Sequence, residues 1–271
     1  RRHTRYGTVT GVQTCALPIS QDVMVTNVDD ESAGFTMTIN SYTSEAGAIS
    51  TIKIKLNSEP TDNVSLSVAS SDTTEGKITS ISSGGTTSVA FTTENWNSYK
   101  SIVITGQDDN LSDGNQSYAI WLGPDNTTSD TQYRYLNPDD VVVVNIDDET
   151  AGYSISAIDE YSSESGDNAS FRVRLNSEPT DNVTLTLASL DTGEGTVMDP
   201  SSKQLTFQST NWLTYQTVTV TGVDDNQTDG NQEFTIRLLG DNSTNDNRYR
   251  DLLPPRSEEH TSELQSQFRI S

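Results

Sequence analysis

A long internal repeat constrains the fold of this chain more than any other feature of its sequence. The segment LNSEPTDNVSL at Leu56 returns as LNSEPTDNVTL at Leu175, an offset of 119 residues. DDNLSDGNQ at Asp108 returns as DDNQTDGNQ at Asp224, an offset of 116 residues. A period of this length is too long for a solenoid unit and suits a whole domain, so the chain is predicted to contain domains in tandem.

Apolar and polar residues alternate within each repeat. Ile52, Ile54 and Leu56 alternate with polar residues in the first repeat, and Phe171 and Val173 do so in the second. A period of two is typical of half-buried strands, and turn-forming clusters such as NSEPTDN and SSGGTT separate the runs. No stretch has convincing helical spacing. We therefore predict an all-β protein of tandem Greek-key β-sandwiches, immunoglobulin-like, with about seven strands each.

The two ends of the sequence are set aside before the fold is considered. Residues 1–19 include VTGVQTCALPI, which back-translates to a string resembling a common sequencing adapter. Residues 256–271 include RSEEHTSELQS, which back-translates to the opposite strand of the same oligonucleotide. We interpret both ends as artefacts of sequence assembly. Cys15, His3 and His260 all lie in these ends. We therefore exclude functions that need a thiol or an imidazole side chain.

The phase of the repeats predicts the domain boundaries. The run QDVMVTNVDDESAG matches the later PDDVVVVNIDDETAG, so residues 20–28 are expected to be the last strand of a preceding repeat. The first complete domain is then predicted at residues 29–146 and the second at residues 147–255. The second domain has no counterpart of DDVVVVNIDD, so we expect it to lack its final strand and to leave an open sheet edge. A further hypothesis is that Asp22–Val28 fills this edge in another molecule.

Composition excludes several classes of protein. The chain carries 39 acidic against 16 basic residues, a net charge of -23, which argues against binding nucleic acid or anionic membrane surfaces. No apolar run approaches the roughly 20 residues that span a bilayer, so direct membrane insertion is not expected. Little cysteine together with abundant Ser, Thr, Asn, Asp and Gly fits a secreted or cell-surface bacterial protein.

Four motifs carry a resemblance to a known family. An S-E-x-G turn at Ser44, a D-x-x-E-G loop at Asp72, a G-x-D-D-N-x-x-D-G loop at Gly106 and a closing D-D-E-x-A-G run at Asp147 follow one another in this order. Together they resemble Calx-beta domains, which occur in sodium–calcium exchangers, in an integrin subunit and in tandem arrays on large bacterial surface proteins. The NW-x-x-Y and DGNQ elements are similar to the bacterial array subtype. The resemblance covers nearly all of residues 20–255 and implies sandwiches with calcium bound at one end.

The resemblance also implies which acidic residues bind Ca²⁺. In the first domain the family pattern falls on Glu45, Asp72, Asp108, Asp109, Asp113, Asp147 and Asp148, and in the second on Glu164, Asp191, Asp224, Asp225 and Asp229. Calcium prefers about 6 to 8 oxygen ligands, largely carboxylates. Without a cation, these clustered charges would repel one another and raise one another's pKa values.

Three further residues bear on this set of predicted ligands. Gln116 and Gln232 stand where the family often has an acidic residue, and Glu75 is a secondary candidate. The closing aspartates of the second domain are absent with its final strand. We therefore expect the complete first domain to bind calcium well and the second to bind it weakly.

Two aromatic pairs have alternative interpretations. Trp96 with Tyr99, and Trp212 with Tyr215, precede apolar strands, which favours packing or corner roles. The alternative is a platform for binding sugars. Paired carboxylates also occur in glycosidases, but here the pairs lie in repeated loops with no implied cleft.

These observations predict a non-enzymatic, calcium-binding structural module of a large secreted or surface-anchored bacterial protein, such as an adhesin. Ca²⁺ at the domain junctions would stiffen the array, and the partners would be neighbouring repeats of the same chain. Host or matrix glycans or proteins would be bound by other domains. The alternative function is a carbohydrate- or protein-binding adhesive domain.

Overall fold

The computed structural model describes residues 24–240, 242–250, 252 and 254, and the backbone of residues 267–270. Every regular element within these ranges is a β-strand, and the strands form four sheets. In the described part of the chain, no helix is long and apolar enough to cross a membrane. The expected all-β class is confirmed.

The first sandwich is built from β1 to β9. Its strands are β1 (Phe35–Ile39), β2 (Tyr42–Ser44), β3 (Ile49–Leu56), β4 (Val64–Ser70), β5 (Gly76–Ile81), β6 (Ser88–Phe91), β7 (Lys100–Gly106), β8 (Gln116–Pro124) and β9 (Val141–Ile146). One sheet has the order β1-β3-β7-β5 and the other β2-β9-β8-β4-β6. Non-consecutive neighbours in both sheets are typical of a Greek-key, immunoglobulin-like sandwich.

The second sandwich repeats this plan. Its strands are β10 (Tyr153–Asp159), β11 (Asn168–Leu175), β12 (Val183–Ser189), β13 (Gly195–Asp199), β14 (Gln204–Phe207), β15 (Gln216–Gly222), β16 (Phe234–Leu239) and β17 (Gln267–Ile270). The sheets have the orders β10-β11-β15-β13 and β14-β12-β16-β17. Each strand from β10 to β15 pairs as its counterpart does in the first sandwich. Strand β16 also pairs with β12 as β8 does with β4, but its other neighbour is β17 in the place of β9.

Alternating burial gives each sandwich its own core. In strands β3 and β11 every second side chain is buried, and the side chains between them are exposed or half-buried. The residues that face inward are those of the predicted apolar faces, such as Ile52 and Ile54 in the first core and Phe171 and Val173 in the second. The period-two pattern of the sequence therefore identified both cores.

The strand count exceeds the predicted seven because short strands are added to the basic set. The chain leaves β1 and switches sheets to form β2, which pairs in parallel with β9. The four-residue strand β6 pairs with β4 at the edge of the second sheet. The first sandwich thus has nine strands and the second has eight, of which β17 comes from the segment interpreted as adapter-like.

Residues 24–28 are in no strand of this chain, and their assignment to the last strand of a preceding repeat stays a prediction. The preceding residues 20–23 lie outside the described residues. The edge of β16, expected to be open, is paired with β17 in the register Phe234↔Ile270 to Arg237↔Gln267.

A buried tyrosine closes the end of each sandwich where β8 or β16 leads into the following loop. The Tyr133 hydroxyl donates to the Ser58 carbonyl at 2.9 Å, and the Tyr249 hydroxyl donates to the Ser177 carbonyl at 2.9 Å. Each ring packs edge to face on an aromatic residue of the first strand, Phe35 or Tyr153 in turn. We call this end of each sandwich the tyrosine end.

Candidate metal centre

Acidic residues gather at the end of the first sandwich opposite Tyr133, which we call the acidic end. The loops that follow β2, β4, β7 and β9 all lie there, because the four strands run toward that end. A glycine allows the backbone of one of these loops to pack closely against an aromatic ring. A Cβ at Gly76, directly after Glu75, would lie 2.2 Å from the Tyr118 ring.

One cluster joins the turn after β2 to the linker that leads into the second sandwich. Glu45, Asp148 and Glu149 each place a carboxylate oxygen within 4.8 Å of the other two, and we call them the linker triad. Glu45 is only 9% exposed, which is unusual for an ionisable side chain. Among the described residues, no N–H or O–H group donates to Glu45 Oε2 or Glu149 Oε2, although both atoms are buried.

A second cluster lies beside it. Glu75, Asp109 and Asp113 also bring carboxylate oxygens within 4.8 Å of one another, and we call them the loop triad. All three are partly buried. Asp109 is held by its own loop, since the Leu111 amide donates to its Oδ1 at 2.7 Å.

Asn145 on β9 lies between the two triads and is 1% exposed. Its Nδ2 lies 3.3 Å from Glu45 Oε1, 3.3 Å from Glu75 Oε2 and 3.0 Å from the Gln107 carbonyl. The Thr43 hydroxyl donates to Asn145 Oδ1 at 3.0 Å and so fixes the orientation of the amide. This buried bridge was not predictable from the sequence, because a single Asn after four valines resembles an ordinary strand residue.

The electrostatics of the linker triad reflect its crowding. Burial, the adjacent Glu149 carboxyl and the charge of Asp109 together raise the pKa of Glu45 to about 8. Burial also raises the pKa of Glu149, with further contributions from the charges of Asp148 and Asp108, against the lowering effect of the adjacent Glu45 carboxyl. Two buried carboxylates in contact need either a proton or a cation between them.

The loop triad is perturbed in the same direction. Burial raises the pKa of Glu75, and the charge of Asp113 adds to that effect, while the hydrogen bond from Asn145 opposes it. The oxygen-rich composition of both triads suits a hard divalent cation rather than a soft one. Each triad, Glu45, Asp148 and Glu149 or Glu75, Asp109 and Asp113, could ligate such an ion and relieve the repulsion.

The structure divides the seven predicted ligands of the first sandwich. It brings Glu45, Asp109, Asp113 and Asp148 into the triads. Asp72, Asp108 and Asp147 belong to neither triad. Glu75 was only a secondary candidate and Glu149 was missed, although its place directly after two aspartates was a usable signal.

Two of the remaining predicted residues have structural partners in the loops. Asp72 Oδ1 accepts the Thr74 amide at 2.9 Å, and the hydrogen bonds from Thr74 lower the pKa of Asp72. Asp147 Oδ2 accepts the Gly114 amide at 2.6 Å, which ties the linker to the loop after β7. Asp108 is exposed.

The second sandwich reproduces one triad. Glu194, Asp225 and Asp229 match the loop triad, with oxygens again within 4.8 Å of one another. Desolvation raises the pKa of Glu194, followed by the charge of Asp229. Three predicted residues, Glu164, Asp191 and Asp224, belong to no triad, and Asp191 instead accepts the Gly193 amide. Among the described residues, the second sandwich has no counterpart of the linker triad.

The acidic end of the first sandwich contacts the tyrosine end of the second. The Glu178 amide donates to the Asn110 carbonyl at 2.7 Å. Arg248 donates through its guanidinium to the Asp113 carbonyl, at the edge of the loop triad. The candidate metal centre therefore lies at the domain junction.

The tryptophans of the two aromatic pairs pack against the cores. Trp96 lies partly buried against the first core, and Trp212 lies against the second. The rings of Tyr99 and Tyr215 are approached by cationic side chains, Lys55 in the first case and Arg172 in the second. The packing interpretation therefore fits both tryptophans, and the sugar-platform interpretation gains no support from them.

Comparison with known proteins gives one family. A model described as the Calx-beta domain matches residues 27–150 and 155–265. No curated protein matches the chain.

Solved structures show weaker likeness. Calcium binding domain CBD12 of CALX1.1 is 13% identical with a TM-score of 0.35, over 75% of this chain and 80% of that one. CBD12 from CALX1.2 is 13% identical with a TM-score of 0.29, over 73% and 76%. Domains 5-6 of the S-layer protein SbsC are 15% identical with a TM-score of 0.24, over 76% and 91%.

Proposed function

The chain belongs to the Calx-beta family, and from that premise we propose that its first sandwich binds calcium at the acidic end and that the ion stiffens the joint with the second sandwich. Calx-beta domains are binding and regulatory domains rather than enzymes. The proposal concerns calcium as a structural ion, with no catalytic step.

One observation carries the proposal. Glu45 Oε2 and Glu149 Oε2 are buried, receive no hydrogen bond from the described residues, and lie together with Asp148. A buried carboxylate with an unsatisfied oxygen is strongly destabilising unless a proton or an ion compensates it. Calcium accepts such oxygens in irregular geometry and neutralises the repulsion.

The position of the linker triad explains how binding would stiffen the joint. Glu45 belongs to the turn after β2, whereas Asp148 and Glu149 belong to the linker that leads to β10. An ion held by all three would fix the linker to the first sandwich. The Ser112 hydroxyl already donates to the Glu149 carbonyl at 3.4 Å, so the linker starts from a defined position.

We propose further that the chain forms part of an array in a secreted or cell-surface bacterial protein, such as an adhesin. The net charge of -23 and the tandem arrangement of two family domains support this setting. Its partners would be neighbouring repeats, and adhesion to host or matrix glycans or proteins would belong to other domains.

Calorimetric titration with CaCl₂ after removal of ions tests the binding. We expect saturable binding that Glu149→Gln weakens by at least about tenfold, because an amide cannot supply the charge. Glu94→Gln, an exposed site in the turn before β7 at the tyrosine end, is the matched control and should bind as the unmodified protein does. No heat of binding, or equal loss in both variants, would contradict the proposal.

Small-angle scattering tests the stiffening. The maximum dimension and the flexibility of the particle should change when EGTA removes calcium, and both should return when calcium is restored. Identical curves with and without calcium, in a protein that binds the ion, would remove the stiffening role.

A further inference from the structure

We propose that the outer surface of one sheet in each sandwich binds an anionic polysaccharide whose sugars carry carboxylates, that is, a chain of uronic acids. The two sheets are β1-β3-β7-β5 and β10-β11-β15-β13, and we call their outer surfaces the cation faces. The proposed calcium site lies in loops at the end of the first sandwich, so this binding goes beyond the proposed function and does not rest on it. It would give the repeats a glycan contact of their own.

A pair of basic residues stands at the same place in both repeats. Lys53 and Lys55 of β3 return as Arg172 and Arg174 of β11, at an offset of 119 residues. The residue type differs between the repeats, but the positive charge is kept at both positions. The side chain between the two cations is buried in each strand, so the cations point outward. Residues two apart on a strand lie on the same face, roughly 6.7 Å from each other.

The basic charge of the first sandwich is concentrated on its cation face. Strands β1, β3, β5 and β7 contain no Asp or Glu, in a chain with 39 acidic residues. Lys77 of β5 adds a third exposed cation beside Thr105 of β7. The opposite sheet, made of β2, β4, β6, β8 and β9, has neither Lys nor Arg in its strands. In the second sandwich, Asp159 and Asp199 stand at the last positions of β10 and β13.

Two ordinary roles of surface cations do not account for these residues. Lysines protect the edges of sheets against association, but β3 lies between β1 and β7, and β11 lies between β10 and β15. Within the described part of the chain, none of the four cations on β3 and β11 pairs with a carboxylate. Arg174 Nε is buried and finds no acceptor among the same residues. The cations are therefore available to a ligand.

A tyrosine positions the cations on each face. Lys55 Nζ lies 5.3 Å from the centroid of the Tyr99 ring. The guanidinium carbons of Arg172 and Arg174 lie 4.4 Å and 5.1 Å from the centroid of the Tyr215 ring. Cation–π attraction restricts these long side chains before binding, which lowers the entropy that they lose when a ligand binds.

Hydroxyl groups flank the cations. Lys53 lies opposite Thr38 on β1 and Ser101 on β7. Arg172 lies likewise between a serine of β10 and a threonine of β11's other neighbour, β15. A hydroxyl both donates and accepts hydrogen bonds, as the hydroxyls of a sugar do, while the cation binds a carboxylate through charge-assisted hydrogen bonds. The chemistry of the faces thus matches a polymer that carries both groups.

The same composition distinguishes a polysaccharide from other anionic partners. The surfaces through which proteins bind one another are depleted in Lys and Ser, and both residue types are prominent on the first cation face. The net charge of -23 opposes a densely charged polymer such as nucleic acid. A uronic acid chain has one charge per sugar and hydroxyls between the charges.

Fluorescence anisotropy of a labelled polygalacturonate oligosaccharide tests the inference with the full chain. The titration is done in EGTA, so that calcium does not bridge carboxylates of the probe and the protein. We expect saturable binding that weakens as NaCl is added, because salt screens exposed charges. Labelled dextran, a neutral polysaccharide, should not bind.

Variants on the faces locate the binding. Lys53→Gln with Lys55→Gln, and Arg172→Gln with Arg174→Gln, should together weaken binding by at least about tenfold, and each pair alone by at least about threefold. All four side chains lie outside the cores, so both sandwiches should stay folded.

A control pair and a rescue pair complete the set. Arg134→Gln with Lys203→Gln removes two exposed cations from loops and matches the charge change of either pair on the faces. This control should bind as the unmodified protein does. Lys53→Arg with Lys55→Arg keeps the charge and copies the second face, so it should retain binding.

Each outcome decides the inference. Loss in the face variants, with binding kept in the control and in the rescue pair, supports it. Absence of binding, or equal loss in the control, overturns it. Polyglutamate that binds as tightly as polygalacturonate also overturns it, since the faces would then select an acidic protein. Calorimetry with CaCl₂ reports the proposed calcium site separately, so failure of one proposal leaves the other open to its own test.

Discussion

The two sandwiches share a loop triad but differ in the linker triad. Glu75, Asp109 and Asp113 in the first sandwich match Glu194, Asp225 and Asp229 in the second. Among the residues that the structure describes, the first sandwich alone adds Glu45 to residues that follow its closing strand β9. Half of the candidate site therefore depends on the residues after the last strand, and the loops alone produce only the other half.

The opposite ends of the sandwiches show no such difference. Asp130 accepts the Thr61 amide at 2.6 Å and lies three residues before Tyr133. Asp246 accepts the Thr180 amide at 2.8 Å and lies three residues before Tyr249. This end depends on a loop that each repeat contains in full, so the repeats agree there.

The largest expected effect tests whether the tyrosine ends are equivalent. Tyr133→Ala and Tyr249→Ala should each destabilise their own sandwich by about 3–5 kcal/mol, because each leaves a cavity beside a buried ring partner. Hydrogen exchange resolved by segment measures each sandwich separately. A loss in one sandwich much greater than in the other would break the equivalence.

The next effect tests the difference between the acidic ends. Glu45→Gln should weaken calcium binding by at least about tenfold, which corresponds to about 1.4 kcal/mol. Glu164→Gln, at the matching position of the second sandwich, is the control and should change it less, because Glu164 is exposed and belongs to no triad. Calorimetry measures both. Equal losses would show that the two ends are not different in function.

The pH dependence of the stability of the first sandwich tests the difference between the two acidic ends in the absence of calcium. Since Glu45 has a pKa of about 8 when folded and an ordinary pKa of 4.5, the folded state holds its proton more tightly than the unfolded state. Its contribution to stability is then full below about pH 4.5 and is lost as the pH rises through 8. In EGTA the first sandwich should therefore be less stable toward urea at pH 8 than at pH 5.

The control for this experiment is Glu45→Gln, which removes the titrating group. In that variant the free energy of unfolding of the first sandwich should fall less steeply between pH 5 and pH 8. Calcium should also flatten it, because the ion compensates the charge at high pH. A first sandwich that gains stability over this range in EGTA would contradict the raised pKa of Glu45.

The smallest effect concerns the junction. Arg248→Ala removes the hydrogen bond to the Asp113 carbonyl and should lower calcium affinity or domain coupling by no more than about 1 kcal/mol. Arg250→Ala is the matched control, since its guanidinium bonds the Thr244 carbonyl within the second sandwich. Calorimetry with CaCl₂ compares the two. An equal effect from both variants would remove Arg248 from the coupling.

The sequence predicted the fold well because its information is local. The alternation of apolar residues in β3 and β11 identified the buried faces, and the repeated loops indicated which carboxylates meet. Strand switching between β1 and β2 was not predictable from that alternation. It depends on the pairing of β2 with β9, about 100 residues away in sequence.

The candidate site was only partly predictable for the same reason. Aspartates in turn-forming loops resemble ligands whether they bind an ion or cap a turn, and Asp72 and Asp191 cap turns in the structure. Glu149 joins the site through a contact with Glu45, which precedes it by more than 100 residues. Only the folded arrangement brings these two side chains together.

The parallel pairing of β2 with β9 has a mechanical consequence. Tyr42, Thr43 and Ser44 lie opposite Val144, Asn145 and Ile146. One strand is near the point where the chain enters the first sandwich, and the other is where it leaves. Tension along the chain would pull the two strands in opposite directions along their length. All their hydrogen bonds would then resist in shear together.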